Sequence, residues 1–385
     1  MMAVAIKGWC PGAFRPMQSG DGLVVRVRPF GGRLDAEQAA GLAELAGRYG
    51  NGLIDLTSRA NLQVRGVTDE RYQPLLDGLA QLGLLDQDSA TESRRNILVT
   101  PFWEPDDETR SLAAELERAL AAVDLDLPTK FGFAVDDGKK RVLADASADI
   151  RIERDVADEL IVRADRAEFG RRVARTETVG IALALAQWFV ASGGAGRGRM
   201  AAHIGAGAGL PRTLRGDAEP APMARAARPG LSPHGAMVGV AFGQLPYSAL
   251  SRLAAHAPAL RMTPWRMMLV EDQREMPREA DLITDADDPA LRVIACSGAP
   301  RCREALADTR KLAATLAPHI DTDMRLHISG CAKGCAHSGA APVTLVATRD
   351  GFDLIRNGST RDVPVRRGLS GADLVAMPSL LPGGR

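Results

Sequence analysis

Four of the five cysteines in this 385-residue chain stand in two short stretches, CSGAPRC at 296–302 and HISGCAKGCAHSG at 327–339. The pattern is Cys296-x5-Cys302, a gap of twenty-eight residues, then Cys331-x3-Cys335. A structural zinc ribbon favours pairs two residues apart on tight turns, and neither pair has that spacing. A [4Fe-4S] cubane takes four thiolates, one for each iron. The residues between the thiols are small: Ser297, Gly298 and Ala299 in the first stretch, Gly330, Ala332, Gly334 and Ala336 in the second. Small residues let backbone N–H groups approach cluster sulfides. A helix expected over about 302–317 would set Cys302 at a helix start, where partial positive charge favours an anionic group. The cubane is the reading these residues favour, with zinc and inert buried thiols as alternatives. Cys10, alone beside Pro11 and Gly12, reads as a plain thiol rather than a fifth ligand.

The elements that must hold these residues repeat along the chain. GLVVRVRPF (22–30) alternates apolar and polar residues, the period of a half-buried strand. Asp35 caps an amphipathic helix with Ala39, Leu42, Leu45 and Ala46 on one face, and Gly50-Asn51-Gly52 stops it. LIDLTSRANLQVRG follows as two extended pieces around a bend. The same order returns as AMVGVAF (236–242), a helix from Pro246 to about His256, and LRMTPWRMMLV (260–270). The closing segments align on one threonine, LTSR (56–59) facing MTPWR (262–266), which makes Arg266 the expected partner of Arg59. After the first unit come a helix and a small antiparallel sheet between about 94 and 165, and after the second come the cysteines, a helix and further strands. A helix at about 169–191 and a Gly-, Pro- and Ala-rich stretch at 205–235 join the halves.

The formal net charge is zero, so no global field recruits nucleic acid or an anionic membrane. The start has no apolar run of signal-peptide length, and Val179 to Ala191, the longest apolar run, is too short to span a bilayer. A cytoplasmic protein is expected. In that compartment an odd number of cysteines points to metal or redox use rather than disulfides.

The cysteine spacing, carried on the second copy of such a repeat, resembles the siroheme-dependent nitrite and sulfite reductases over nearly the whole chain. Within that family the likeness is to the precorrin-3B synthases. It rests on KGWCPGAFRPMQSGDGLVVRVRP, LTSRANLQVRG, RMTPWR and LHISGCAKGCAHSGAAPVTLV. The resemblance implies an α+β protein of two pseudo-repeats, each a ferredoxin-like half-domain followed by a nitrite/sulfite reductase-type mixed α/β domain. The expected divisions are 8–72 and 90–168, a helix and linker over 169–235, then 236–275 and 288–362. It implies one [4Fe-4S] cluster on Cys296, Cys302, Cys331 and Cys335, with Cys335 the thiol that in reductases bridges to the tetrapyrrole.

For activity it implies an O2-dependent monooxygenase of aerobic cobalamin biosynthesis that hydroxylates precorrin-3A at C20 with lactone formation. Its electrons come from NAD(P)H through a donor protein, and a mononuclear non-haem iron serves oxygen. His327 and His337 flank the second cysteine pair and are left unassigned between such an iron and a supporting role, and no catalytic residue is assigned. Arg59, Arg95, Lys130 and Arg266 are the candidate cations for the tetrapyrrole carboxylates. Two positions depart from the reductases. Ala60 stands where they place a glutamine, and Gly132 where sulfite reductases often place a second lysine. A siroheme-dependent sulfite or nitrite reductase is the first rival, and a non-catalytic iron–sulfur carrier or sensor the second.

Overall fold

The computed structural model describes residues 11–377 and Leu380, so Cys10 lies outside the described residues. The first unit runs β1 (Met17–Ser19), β2 (Gly22–Val27), β3 (Arg33–Asp35), α1 (Ala36–Tyr49), β4 (Leu53–Leu56), β5 (Leu62–Val67) and α2 (Asp69–Gln81). Asp35 caps α1 by accepting from Gln38 N at 2.8 Å, and Gln38 answers as a capping box. Ala39, Leu42, Ala43 and Ala46 of α1 and Leu75 and Leu79 of α2 are fully buried in one core. The first mixed domain follows as α3 (Ser89–Arg94), β6 (Ile97–Val99), α4 (Thr109–Ala122), β7 (Phe133–Asp136), β8 (Ile150–Arg154), β9 (Leu160–Ala164) and β10 (Arg171–Arg172). Next come α5 (Thr178–Ala191) and α6 (Met200–Gly205).

The second half repeats this plan with β11 (Gly230–Ser232), β12 (Gly235–Gly239), β13 (Gln244–Pro246), α7 (Tyr247–His256), β14 (Ala259–Met262) and β15 (Met267–Glu271). The second mixed domain holds β16 (Val293–Ala295), α8 (Thr309–Leu316), β17 (Leu326–Ser329), β18 (Ala341–Thr348), β19 (Gly351–Gly358), β20 (Arg366–Leu369) and α9 (Gly371–Ala376).

Among the described residues these strands form four five-stranded sheets. The ferredoxin-like sheets exchange an edge strand, β13 of the second unit pairing with β4 and β3 of the first pairing with β14. One core therefore joins both units, Leu34, Leu42 and Ile54 packing with Val238, Leu250 and Met262. The mixed domains share one topology, β6-β7-β8 and β16-β17-β18 parallel, each extended by two antiparallel strands.

Several expectations are corrected. The sheet over 94–165 is mixed rather than antiparallel, because α4 carries the chain over from β6 to a parallel β7. The helix expected at 302–317 begins at Thr309, where Asp308 accepts from Lys311 N, so Cys302 sits in a turn with its N–H on Gly298 O at 2.8 Å. The helix expected at 169–191 begins at Thr178, because Arg171–Arg172 are drawn into the sheet as β10. The 205–235 stretch is pinned along the first mixed domain by bridges at Ala218, Pro220 and Met223. The apolar α5 buries Ala182, Leu185, Ala186 and Phe189 in that domain's core. No helix among the described residues is long and apolar enough to cross a membrane.

The threonine alignment holds, and the arginine pairing moves one residue. Thr57 Oγ1 accepts from Arg59 N at 3.2 Å, and Thr263 Oγ1 accepts from Trp265 N at 3.3 Å. Ala60 and Arg266 both hold left-handed backbone, φ 53° and 58°. Arg59 therefore answers Trp265, and Arg266 answers Ala60. Arg59 lies in the turn before β5, not on one strand with Arg65.

Candidate functional site

The cysteines gather at the carboxyl ends of two adjacent parallel strands, a usual place for ligands in sheets with crossover helices. Cys296 follows β16 directly, and Cys331 lies two residues beyond β17. Gly330 N donates to Cys296 Sγ at 3.2 Å, and Thr309 Oγ1 donates to the Cys296 carbonyl at 2.8 Å. Close approach requires the glycines. A Cβ on Gly330 would lie 2.7 Å from Ala305 Cβ, and Gly298, at φ 67°, has Thr309 Oγ1 2.6 Å from where its Cβ would stand.

The four described thiols are free. Burial pushes the thiols of Cys331 and Cys335 up, and the neighbouring cysteine sulfurs push them further. The sulfurs thus share one electrostatic neighbourhood in which four thiolates together need a positive partner. Metal ions supply that charge and release the protons. Among the described residues no three His, Cys, Asp or Glu side chains are drawn together as they would be around a single ion. A soft all-sulfur donor set, small flanking residues and an inward N–H fit a cubane with one iron per sulfur.

The ferredoxin-like units hold this loop from outside. The Arg301 carbonyl, one residue before Cys302, accepts from Ser19 Oγ at 2.6 Å, Gly20 N at 2.9 Å and Arg65 Nη2 at 3.1 Å. Arg65, only 3% exposed, also binds Asp21 at 2.7 Å and Asp55 at 3.0 Å. Asp55 further accepts from Gln244 Nε2 at 2.9 Å and Arg310 Nη2 at 3.1 Å. One carboxylate thus ties β4, the exchanged β13 and α8 together beside the cysteines.

Arg266 reaches the second cysteine loop from the other unit, its Nη2 on the Ala336 carbonyl at 3.1 Å. Burial first, and then the nearby Arg310, lower its guanidinium to about 10. His327, fully buried on β17, is pushed down to about 4 by burial and then by His337, so it is neutral at pH 7. Among the described residues neither ring nitrogen has a hydrogen-bond partner, and the His337 ring stands edge-on with centroids 5.6 Å apart.

The remaining candidates divide. Arg59 and Lys130 are brought together, Arg59 Nη2 donating to the Lys130 carbonyl at 3.0 Å and to Ser147 Oγ at 3.2 Å. Arg199, a cation the sequence did not single out, donates to the same hydroxyl at 2.9 Å. Arg95 lies apart and buried. It forms a two-point pair with Asp86 at 2.7 and 2.9 Å, donates to the Arg28 carbonyl and covers the Phe30 ring. Arg310 and Arg199 carried no local signal. Asp55 inside the apolar LIDL and Arg65 inside LQVRG did, as charges on strands with buried neighbours.

A family model, the nitrite/sulfite reductase ferredoxin-like half domain, matches residues 15–82. The chain is 30% identical over 395 residues to a precorrin-3B synthase of Sinorhizobium sp, covering 93% of this chain and 84% of that protein. It is 33% identical over 142 residues to the ferredoxin–nitrite reductase of Synechococcus elongatus, 34% of this chain and 28% of that one. The solved structure of the Mycobacterium tuberculosis NirA protein matches with a TM-score of 0.65 at 17% identity, over 94% of this chain and 82% of that chain, a likeness of fold.

Proposed function

Because the chain belongs to the precorrin-3B synthase branch of the nitrite/sulfite reductase family, a family of oxidoreductases, we propose that it converts precorrin-3A to precorrin-3B in aerobic cobalamin biosynthesis. One atom of O2 enters as the C20 hydroxyl, the ring A acetate closes a lactone, and the other atom leaves as water with two electrons and two protons. The observation that carries the reading is the likeness to a precorrin-3B synthase along 93% of this chain, with Cys296 and Cys331 following the adjacent parallel strands β16 and β17. Cys296, Cys302, Cys331 and Cys335 would hold one [4Fe-4S] cluster, which when bound supplies electron transfer.

Arg59, Lys130 and Arg266 would meet acidic side chains of the macrocycle, where charge-assisted hydrogen bonds orient it. Arg95, its charge taken up by Asp86, would act by holding the Arg28 carbonyl in place. Electrons drawn from NAD(P)H would arrive through a donor protein. The one glycine-rich candidate for a dinucleotide site, GAGAGLPR at 205–212, follows α6 rather than a strand. For a mononuclear non-haem iron, His327 and His337 are the imidazoles at hand, and neither is assigned.

The shape at Gly132 weighs against anion reduction on siroheme. A side chain there would bring its Cβ to 3.0 Å from the Asn96 carbonyl and 3.6 Å from Arg59 Nη1, leaving poor room for a second lysine. The test supplies precorrin-3A, a reductant and heavy oxygen gas to anaerobically isolated protein. The product hydroxyl should carry the heavy atom, and the lactone ring oxygen should stay light. A hydroxyl labelled from water, or tightly held siroheme with sulfite or nitrite reduction, would overturn the reading.

A further inference from the structure

Charge is unbalanced where α8 meets the first ferredoxin-like sheet. Arg310 gives Nη2 to Asp55, while its Nε and Nη1 are buried and have no hydrogen-bond partner among the described residues. The side chain is 12% exposed, so bulk water does little for these donors. Arginine carries five N–H donors and no means of losing its charge inside a protein, and a buried donor left unmade carries its full desolvation cost. Asp55, which also receives Arg65 and Gln244, meets only Nη2 of Arg310, and Nε and Nη1 do not reach it.

The neighbours deepen the imbalance. Arg266 lies near enough that Arg310 lowers its guanidinium, and its Nη2 donates to the neutral Ala336 carbonyl. His327, also electrostatically coupled to Arg266, adds two unpartnered buried ring nitrogens from a different element. Two like charges, unmade donors and a neutral imidazole converge beside the cysteine loops, and an anion placed between the guanidiniums would satisfy them together.

We propose that Arg310, with Arg266 beside it, is a carboxylate-binding residue of the tetrapyrrole site, taking one acidic side chain of the substrate. The assignment rests on the function proposed above. It adds a specificity contact from the cysteine domain itself, on α8. The ligand class is an organic carboxylate on a large ring.

The test compares wild type with Arg310→Gln, both isolated without air. Asp55 keeps Arg65 and Gln244 in the variant, so iron and sulfide contents should match wild type. Each protein is titrated with precorrin-3A and with a tetrapyrrole whose acidic side chains are methyl esters, followed by fluorescence. Wild type should prefer the free acid. Arg310→Gln should bind the acid weaker by about tenfold or more with ester binding unchanged, and Arg310→Lys should recover only part of the loss, because an ammonium lacks the guanidinium fork. An Arg310→Gln protein that keeps the wild-type preference overturns the proposal alone, as does equal loss for both ligands. A wild type that binds neither ligand overturns the functional reading and this assignment with it.

Discussion

Thr100 follows β6 as Cys296 follows β16, and Asp136 ends β7 where Ser329 ends β17. The correspondence extends to the backbone, Thr100 N on the Val135 carbonyl at 2.9 Å and Cys296 N on the Ile328 carbonyl at 3.4 Å. What differs is how the loops beyond these strands are fastened. In the first mixed domain Arg151 of β8 donates to the Leu143 and Ala146 carbonyls at 2.9 and 2.8 Å, and Asp136 accepts from Leu143 N at 2.7 Å. In the second, Thr344 stands in the place of Arg151 and turns to the Gly358 carbonyl. Its cysteine loops are held in addition from the ferredoxin-like units, by Ser19, Gly20 and Arg65 on one side and Arg266 on the other. The first loop also takes Arg59 of its ferredoxin-like unit, at Ser147 Oγ. The cysteine loops keep anchors of their own domain, Thr309 Oγ1 on the Cys296 carbonyl, Ser329 Oγ on the Cys331 carbonyl and Thr360 Oγ1 on the Ala332 carbonyl, and add contacts from both ferredoxin-like units.

The comparison breaks most visibly at the thiols. Replacing any one of Cys296, Cys302, Cys331 or Cys335 by Ser should lose most of the iron and inorganic sulfide, whereas Thr100→Ser and Cys10→Ser should keep both near wild type in a colorimetric assay. Iron loss in the Cys10 variant equal to that in the others would break the assignment.

Next in size is the latch. Arg65→Met takes the shared guanidinium from Asp21, which keeps Asn51, and from Asp55, which keeps Arg310 and Gln244, so the loss should fall toward the lower end of the about 3–5 kcal/mol that breaking a buried ion pair costs. Denaturant unfolding should show that loss, and iron content should fall with it. Stability lost with full iron retention would mean that the cysteine loops do not depend on this contact.

Arg151→Met unfastens the loop of the first domain and should cost about 1.5–3 kcal/mol, the range for hydrogen bonds to a charged group. Iron and sulfide should not change. A drop in either would show that the two loops are not independent.

The smallest effect is a slope. Burial raises the Asp136 carboxyl from 3.8 to about 7, with Glu153 pushing the same way against a hydrogen bond from Leu143 N. Between these values the folded chain keeps a proton that the unfolded chain has lost, so the contribution to stability is full below about pH 4 and fades as pH rises to about 7. Asp136→Asn should gain on wild type across that window. A difference that stays constant with pH would refute the buried-acid account.

The sequence made the second domain's chemistry more legible than its support. Cysteine spacing needs no tertiary knowledge, and α1 announced itself through Asp35, Gln38 and Gly50. The exchange of β3 and β13 was hidden because each is three residues long and pairs with the other unit. Strand direction was hidden for a related reason, alternation being the same in parallel and antiparallel pairs. Ala60 as the counterpart of Arg266 could be counted from the aligned threonines, three residues on in each unit, and φ near 55° at both agrees with it. Arg310 and Arg199 act across fifty or more positions of chain, on Asp55 and Asp149 respectively, and Arg310 lay beyond any local pattern.

The most direct test of the account is a count of iron and sulfide with an absorption spectrum on protein isolated without air. The account predicts about four of each per chain, broad cluster absorption bleached by reductant, and no Soret band. A protein with zinc and no sulfide, or one with a Soret band from tightly held siroheme, would contradict it.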